Sequence, residues 1–233
     1  MSTFLELCQN VSRESGVISG VLPTAVTGQS GLLLNIVEWT AQAWTLIQNL
    51  HTNWDWMHST YTKSTTSGVG TYTPTAFSIT SLRTWAPDLP EEQYYPHTSY
   101  LTSDGVAYEA ALVQISYKQY RTRYQRGTQT NNAPTEWAIS PANEIMLGPI
   151  PDADYTIQGE YYKQATVLAA NGDIPAMPTY FHDMVVWRAL MLMGGYDEAN
   201  FQLSDATAKY DEYLERLTKD QLPRLRLGGG PLA

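Results

Sequence analysis

The side chains that could carry chemistry are few and scattered along the chain. A basic cluster stands in residues 117–126, YKQYRTRYQR, which hold four of the fourteen Lys and Arg residues: Lys118, Arg121, Arg123 and Arg126. The tyrosines of the same stretch recur at helical spacing and share one face. This pattern fits a contact with phosphate or with an acidic partner. It also fits a short amphipathic helix that packs through its tyrosines and leaves its charges in solvent.

The remaining polar residues give no pattern typical of a catalytic or metal site. The sequence contains no GxxxxGK[ST], GxGxxG, GxSxG, HExxH or CxxC motif. Of the four histidines only His51 and His58 share a helical spacing, and surface or helix-end histidines are commoner than metal pairs. Asp152 and Asp154 flank a proline-rich turn, where carboxylates usually accept backbone N–H groups. We therefore expect no enzymatic activity, no cofactor and no metal.

Composition predicts a folded, acidic protein. The 233 residues are 43% hydrophobic, enough for a sizeable core, and the formal net charge is −9. That charge argues against non-specific binding to nucleic acid through the overall field. The sequence has no run of eighteen apolar residues and no basic-then-apolar N-terminus, so we expect neither a membrane span nor a secretory signal. A single cysteine, Cys8, fits assembly in a reducing cytoplasm and is expected to be packed.

Two helices are predicted at the start of the chain. Residues 3–15 form a short helix capped by Thr3, and residues 31–57 form a long amphipathic helix with Ser30 as its N-cap. The long segment keeps one apolar period and has no Gly or Pro after Gly31. At about 1.5 Å per residue it would span roughly 39 Å. A helix of this length needs packing partners, and the candidates lie near the C-terminus.

The middle of the chain, residues 58–175, is predicted to be a β-rich insertion. It is rich in Thr, Ser, Tyr, Pro and Gly and is divided by turn signals such as Ser67-Gly68 and Asn171-Gly172. Short alternating segments predict strands at residues 58–64, 70–73, 98–102, 108–116, 135–139, 144–147 and 155–163. The basic cluster interrupts them as a short helix.

Helices return after Pro178. Residues 180–193 are apolar on nearly every side, which predicts a buried helix ended by Gly194 and Gly195. Residues 198–221 have heptad-like apolar spacing, and Pro223 closes this last helix. The sequence thus predicts an α+β protein: a split helical bundle made of residues 1–57 and 176–222, the β-rich insertion, and an extended C-terminal arm of residues 223–233 that cannot fold alone.

The order and spacing of several strings resemble the head-to-tail adaptor, or connector, proteins of tailed bacteriophages. LPTAVTGQSGLLLNIVEWTAQAWTLIQNLHTNWDWM is similar to the family's opening, in which two helices end in a Trp-x-Trp-Met rim. PTEWAISPANEIMLGPIPDADYTIQGEYYKQ is similar to its final strands. NGDIPAMPTYFHDMVVWRALMLMGGYDEA and YDEYLERLTKDQLP are similar to its two closing helices. The resemblance covers nearly the whole chain and contains no catalytic signature.

This resemblance implies a structural protein of the virion neck, assembled in the host cytoplasm. Such adaptors form a dodecameric ring beneath the portal, extend the DNA channel and offer a docking surface to tail or nozzle proteins. The expected partners are further copies of the chain, the portal protein, a downstream tail or nozzle protein, and DNA that passes without sequence readout. No membrane partner and no cofactor is implied.

The resemblance also gives the C-terminal arm a role, because adaptor tails reach into the portal. The expected portal-binding residues are Leu222, Pro223, Arg224, Leu225, Arg226 and Leu227, with arginines pairing with carboxylates and leucines filling apolar grooves. The basic cluster is a second expected contact, with a partner or with DNA. A competing hypothesis is a carbohydrate- or receptor-binding module of a phage tail, since Trp and Tyr on strands can stack on sugars. That module would need a free-standing β-sandwich instead of strands inserted between helices. An enzyme is the third class of protein considered, and it would need a catalytic sequence motif.

Overall fold

The computed structural model describes residues 1–16, 22–196 and 200–222 of an α+β protein, the predicted fold class. The described α-helices, in chain order, are α1 (Phe4–Ser15), α2 (Leu32–Leu50), α3 (Tyr117–Tyr124), α4 (Asp183–Tyr196) and α5 (Asn200–Gln221). The described strands are β1 (His58–Ser64), β2 (Thr71–Tyr72), β3 (Leu82–Trp85), β4 (Thr98–Leu101), β5 (Ala110–Ala111), β6 (Val113–Gln114), β7 (Glu136–Ile139), β8 (Ile145–Gly148) and β9 (Tyr155–Lys163).

The chain divides into two compact units. A helical unit comprises Met1–Met57 and Ala165–Ala233, and a β-rich unit comprises His58–Gln164. The β-rich unit ends before residue 175, where the sequence pattern placed the end of the insertion. Residues 165–175 contain no strand, and Thr166 is held by Gln48 of α2: the Gln48 amide donates to the Thr166 carbonyl at 2.9 Å and accepts its N–H at 2.8 Å.

In the helical unit, α1 forms where the sequence places it. The Thr3 hydroxyl accepts the N–H of Glu6 at 3.3 Å, and the Glu6 carboxylate accepts the N–H of Thr3 at 2.8 Å. This capping box satisfies two backbone donors that the helix itself leaves free. The helix ends at Gly16, and Phe4, Leu7, Cys8 and Val11 are buried.

The predicted extent of α2 is wrong at both ends. Gly31, with φ 56°, occupies the N-cap without a side-chain hydrogen bond, so Ser30 is not the cap. At the other end the helix stops at Leu50, because the backbone of His51 is extended. The chain then turns so that the buried Trp54 indole donates to the Ile47 carbonyl at 3.3 Å. Only a 3₁₀ turn, Asp55–Met57, remains of the predicted final helical stretch.

α4 is the buried helix that the sequence predicts, and it contacts α1, α2 and α5. Its start follows a 3₁₀ turn, Thr179–Phe181, so the α-helix begins at Asp183 instead of residue 180. The prediction that Gly194 and Gly195 end the helix is wrong, since both lie inside it. A Cβ at Gly194 would lie 3.2 Å from a Leu203 methyl carbon, so the glycine permits a close approach of α5. Residue 198, the predicted start of α5, lies outside the described residues.

The β-rich unit is built from two sheets. One has the order β1-β9-β4-β5, with β3 pairing with the end of β9, and all of its pairs are antiparallel. The other has the order β2-β8-β7-β6, and only its β6–β7 pair is parallel. β3 was not predicted, and the single strand expected at residues 108–116 is instead a 3₁₀ turn and two short strands in different sheets.

The two sheets enclose one aromatic-rich core. Tyr61 and Ile157 contribute from the first sheet, and Trp137 and Leu147 contribute from the second. The strands alternate, so the residues between these core positions point to the outer faces of the sheets. Those outer faces carry the two surfaces of the β-rich unit described below.

Candidate assembly surfaces

The basic cluster forms α3, which covers the outer face of the second sheet. The helix begins with a capping box: the Ser116 hydroxyl accepts the N–H of Gln119 at 3.3 Å, and the Gln119 side chain accepts the N–H of Ser116 at 2.9 Å. Tyr120 is buried against the sheet, and its hydroxyl donates to the Leu147 carbonyl at 2.9 Å. The amphipathic interpretation of the tyrosine spacing is therefore correct.

Glu136 of β7 anchors the second half of α3. Its carboxylate forms an ion pair with Arg123 and accepts the Tyr124 hydroxyl at 2.8 Å. Burial, together with the neighbouring Glu136 carboxylate, raises the pKa of Tyr124 to about 12. Arg123 is thus partly neutralised by its own sheet, and it is the least available of the four basic residues for an outside partner.

The other basic residues of the cluster are exposed. Lys118 lies on the side of α3 opposite Tyr120, Arg121 lies on the flank between Lys118 and Tyr117, and Arg126 follows the helix. The guanidinium of Arg121 lies 5.9 Å from the centre of the Tyr117 ring, close enough for a cation–π contact. α3 therefore presents a positive ridge on a protein that is acidic overall.

Sequence reasoning missed a cleft of about 330 Å³ in the β-rich unit. Its lining residues belong to β1, β4, β9 and two connecting segments, and they are mostly hydroxyl-bearing or acidic: Thr60, Tyr61, Thr62, Tyr94, Tyr95, Pro96, Thr98, Glu109, Gln158, Gly159 and Glu160. We call it the sheet cleft. The only sequence signal was the run of polar residues alternating with core residues along β1 and β9.

Hydrogen bonds fix the carboxylates of the sheet cleft. Glu160 accepts the Tyr94 hydroxyl at 2.5 Å and contacts Nε2 of His58 at 2.8 Å, while Glu109 accepts the Thr98 hydroxyl. Burial and the hydrogen bond to Glu160 raise the pKa of the Tyr94 hydroxyl, which therefore stays protonated. The cleft thus offers two oriented carboxylates and an aromatic ring.

The helical unit combines aromatic and cationic side chains on α4 and α5. The Lys209 ammonium lies 4.1 Å from the centre of the Trp187 ring, and the Arg188 guanidinium lies 5.4 Å from that of Tyr210. At the end of the α2 segment, Trp54 and Trp56 stack with ring centres 4.5 Å apart. The Trp-x-Trp-Met string is therefore an ordered aromatic element of this unit.

The sequence model of the SU10 adaptor protein family matches residues 2–232. The chain belongs to the SU10 adaptor family. It is thus a phage head-to-tail adaptor, a structural protein of the virion whose family implies association with portal and tail proteins. No curated protein matches the chain.

In this SU10 adaptor the histidines are separated by the fold. His97 and His182 are buried in different units, whereas His51 contacts the Trp54 ring and His58 contacts Glu160. The end of α2 at Leu50 removes the helical spacing that related His51 to His58. Within the described ranges 1–16, 22–196 and 200–222, no group of three His, Cys, Asp or Glu side chains could hold a metal ion.

The other residues considered for chemistry have structural partners in the adaptor. Asp154 accepts the N–H of Ser67 at 3.2 Å, as expected of a carboxylate beside a turn, whereas Asp152 accepts the side-chain hydroxyl of Tyr155 at 2.9 Å. Burial raises the pKa of the Cys8 thiol to about 11, so the thiol is protonated at neutral pH. No described helix is long and apolar enough to cross a membrane.

The predicted portal-binding arm lies almost entirely beyond the described part of the adaptor. Leu222 follows α5 directly, and its N–H donates to the Thr218 carbonyl at 3.2 Å. The other five residues proposed for the arm, Pro223, Arg224, Leu225, Arg226 and Leu227, lie outside the described residues.

Proposed function

We propose that the chain forms a ring, a dodecamer as in other head-to-tail adaptors, beneath the portal of the filled capsid. In the ring it extends the DNA channel and docks tail or nozzle proteins. The single observation that carries this proposal is the match of the SU10 adaptor family to residues 2–232. The ring assembles in the host cytoplasm and becomes part of the virion neck.

In this proposal the helical segments 1–57 and 176–222 act as a split bundle that forms the ring body. The contacts of α4 with α1, α2 and α5 support the role, because a buried central helix gives the unit its own core. The insertion faces the next component of the neck. A ring of chains that each carry −9 is strongly negative, and we propose that its lumen shares this sign, so that DNA passes without adhering. A positive channel surface in the assembled ring would contradict this last point.

The arm, residues 223–233, is proposed to order on the portal. It follows α5, the last described helix, which ends at Gln221. Arg224 and Arg226 would pair with portal carboxylates, and Leu222, Leu225 and Leu227 would fill apolar grooves. Each arm binds weakly, but simultaneous binding of the arms in one ring multiplies their effect.

Co-sedimentation with the portal ring encoded in the same genome tests the proposal. We expect full-length protein to bind at near one copy per portal subunit and a chain ending at Leu222 to lose binding. Arg224→Glu with Arg226→Glu should weaken binding, whereas the control Arg224→Lys with Arg226→Lys keeps the charge and should bind. Binding that is unchanged by the Glu pair would exclude these arginines as anchors. Absence of binding by the full-length chain would contradict the adaptor ring itself.

A further inference from the structure

The two charged surfaces of the β-rich unit lie on opposite faces of its sheet pair. In the second sheet, Trp137 and Leu147 point into the core, and the alternating residues Ala138 and Met146 point outward and pack under α3 with Tyr120. α3 is therefore on the outer face of the second sheet.

The same alternation places the sheet cleft on the outer face of the first sheet. Tyr61 and Ile157 point into the core, whereas Thr60, Gln158 and Glu160 line the cleft. The register pairs Thr60 with Glu160 and Thr62 with Gln158, so the polar residues form adjacent rows on one surface. The core that separates this face from α3 makes contact between the two surfaces within one copy impossible.

The chemistry of the two surfaces is complementary. The cleft presents the carboxylates of Glu109 and Glu160 beside the half-exposed ring of Tyr94. Carboxylates flanked by an aromatic ring suit a guanidinium group, which forms charge-assisted hydrogen bonds and stacks on rings. α3 presents Lys118 and Arg121 exposed on one face.

We propose that α3 of one copy docks into the sheet cleft of the next copy, with Arg121 between Glu109 and Glu160. This interface would be a contact between neighbouring copies in the proposed ring. It rests on that proposed function, because the ring is what brings copies side by side. Two complementary patches on opposite faces make a head-to-tail contact, which closes into a ring when the rotation between copies is right. The β-rich unit of one copy thereby contacts the β-rich unit of the next copy, and the contact gives all copies the same orientation around the ring.

Cross-linking tests the contact in portal-bound protein. In a chain carrying both Lys118→Cys and Thr62→Cys, which leave Arg121, Glu109 and Glu160 in place, the two thiols face away from each other within one copy. A short bis-maleimide should therefore link successive copies into a ladder longer than two subunits. Lys118→Cys alone and Thr62→Cys alone are the controls, and neither should give more than dimers. The native Cys8 is buried and should not react.

Charge exchange tests the chemistry independently. Arg121→Glu and Glu109→Arg should each weaken formation of complete rings on the portal by about tenfold or more, because each leaves like charges in the contact. The combined variant Arg121→Glu with Glu109→Arg restores one of the two opposite-charge pairs, so it should assemble better than either single variant, although Glu160 still repels the new carboxylate. Arg121→Lys is the conservative control and should assemble.

The outcomes separate the proposed contact from the adaptor role. Portal binding without a cross-linked ladder, or without rescue by the combined variant, would overturn the contact alone. Absence of portal binding by the unmodified chain would overturn the adaptor ring and the contact with it. Arg121→Glu could also assemble normally but lose a salt-sensitive binding to a DNA duplex that the unmodified chain shows. That result would assign α3 to DNA binding and overturn the contact.

Discussion

The Tyr61 hydroxyl lies 2.8 Å from Nδ1 of His97 in the core of the β-rich unit. On the other side of the imidazole, Nε2 lies 3.0 Å from the Ala86 carbonyl, and the ring centre lies 4.0 Å from that of Trp137. Both nitrogens therefore have partners although His97 is only 1% exposed. The hydrogen-bonded side chains of Tyr61 and His97 fit in the core only because the adjacent backbone carries no side chain at the point of closest approach.

Gly159 of β9 provides that room, and Gly159→Ala should destabilise the β-rich unit. A Cβ at this position would lie 2.2 Å from Nδ1 of His97 and 2.5 Å from the Tyr61 hydroxyl. We expect a loss of about 3 kcal/mol, at the upper end of overpacking costs, because β9 pairs on both edges and cannot shift freely. Urea unfolding measures the loss. The control Gly172→Ala meets no atom within 4 Å, and equal stability of the two variants would contradict the explanation.

His97 should make the stability of the protein fall in mild acid. Burial lowers the pKa of His97 from 6.5 to about 4. Between these two pH values the imidazole is therefore mostly protonated in the unfolded chain and mostly neutral in the folded chain. The free energy of unfolding should therefore fall as the pH drops from 6.5 to 4, with on the order of 3 kcal/mol from this residue.

Urea unfolding followed by Trp fluorescence at several pH values measures this slope. His97→Gln should be less stable at pH 7 but should lose less stability on acidification. Burial also lowers the pKa of His182, so a smaller slope of the same sign should remain. An unchanged slope in His97→Gln would show that His97 is not the group that titrates.

Gln48 should stabilise the helical unit through the two hydrogen bonds that it makes with the backbone of Thr166. Gln48→Leu replaces the amide by an apolar side chain of similar size and so leaves the Thr166 N–H and C=O without this partner. We expect a loss of about 1–3 kcal/mol in the free energy of unfolding. Gln42→Leu on the exposed side of the same helix is the matched control and should change stability by under about 0.5 kcal/mol. Equal effects of the two substitutions would reject this role.

Glu136 should hold α3 against its sheet. Glu136→Gln removes the charge that pairs with Arg123 and weakens the hydrogen bond from Tyr124. We expect a local effect of about 1 kcal/mol, given the partial exposure of the pair, with roughly fivefold faster amide exchange in α3. Hydrogen exchange read by mass spectrometry would detect it. The exposed Glu92→Gln is the control, and unchanged exchange in the Glu136 variant would assign the anchoring to Tyr120 instead.

Local patterns predicted those elements whose limits are set by neighbouring residues. The capping box of Thr3 and Glu6 fixed α1, and alternation along residues 58–64 and 155–163 located β1 and β9 with their observed limits. The tyrosine spacing predicted which face of α3 is buried.

The features that the sequence did not predict depend on contacts between residues far apart in the chain. α2 stops before the turn in which the Trp54 indole donates to the Ile47 carbonyl, and Gly194 lies inside α4, where Leu203 of α5 leaves little room for a Cβ. The sheet cleft combines residues from β1, β4, β9 and two loops, so no single stretch carries its pattern. The basic residues of α3 were predicted, but the pairing of Arg123 with Glu136 requires the position of β7.

β1 and β9, the first and last strands of the β-rich unit, pair along seven residues, from His58 with Tyr162 to Ser64 with Thr156. The chain therefore leaves the helical unit and returns to it through adjacent strands. Any other domain with neighbouring ends fits the same two junctions. Replacing the β-rich unit by such a domain would therefore leave the chain path of the helical unit unchanged.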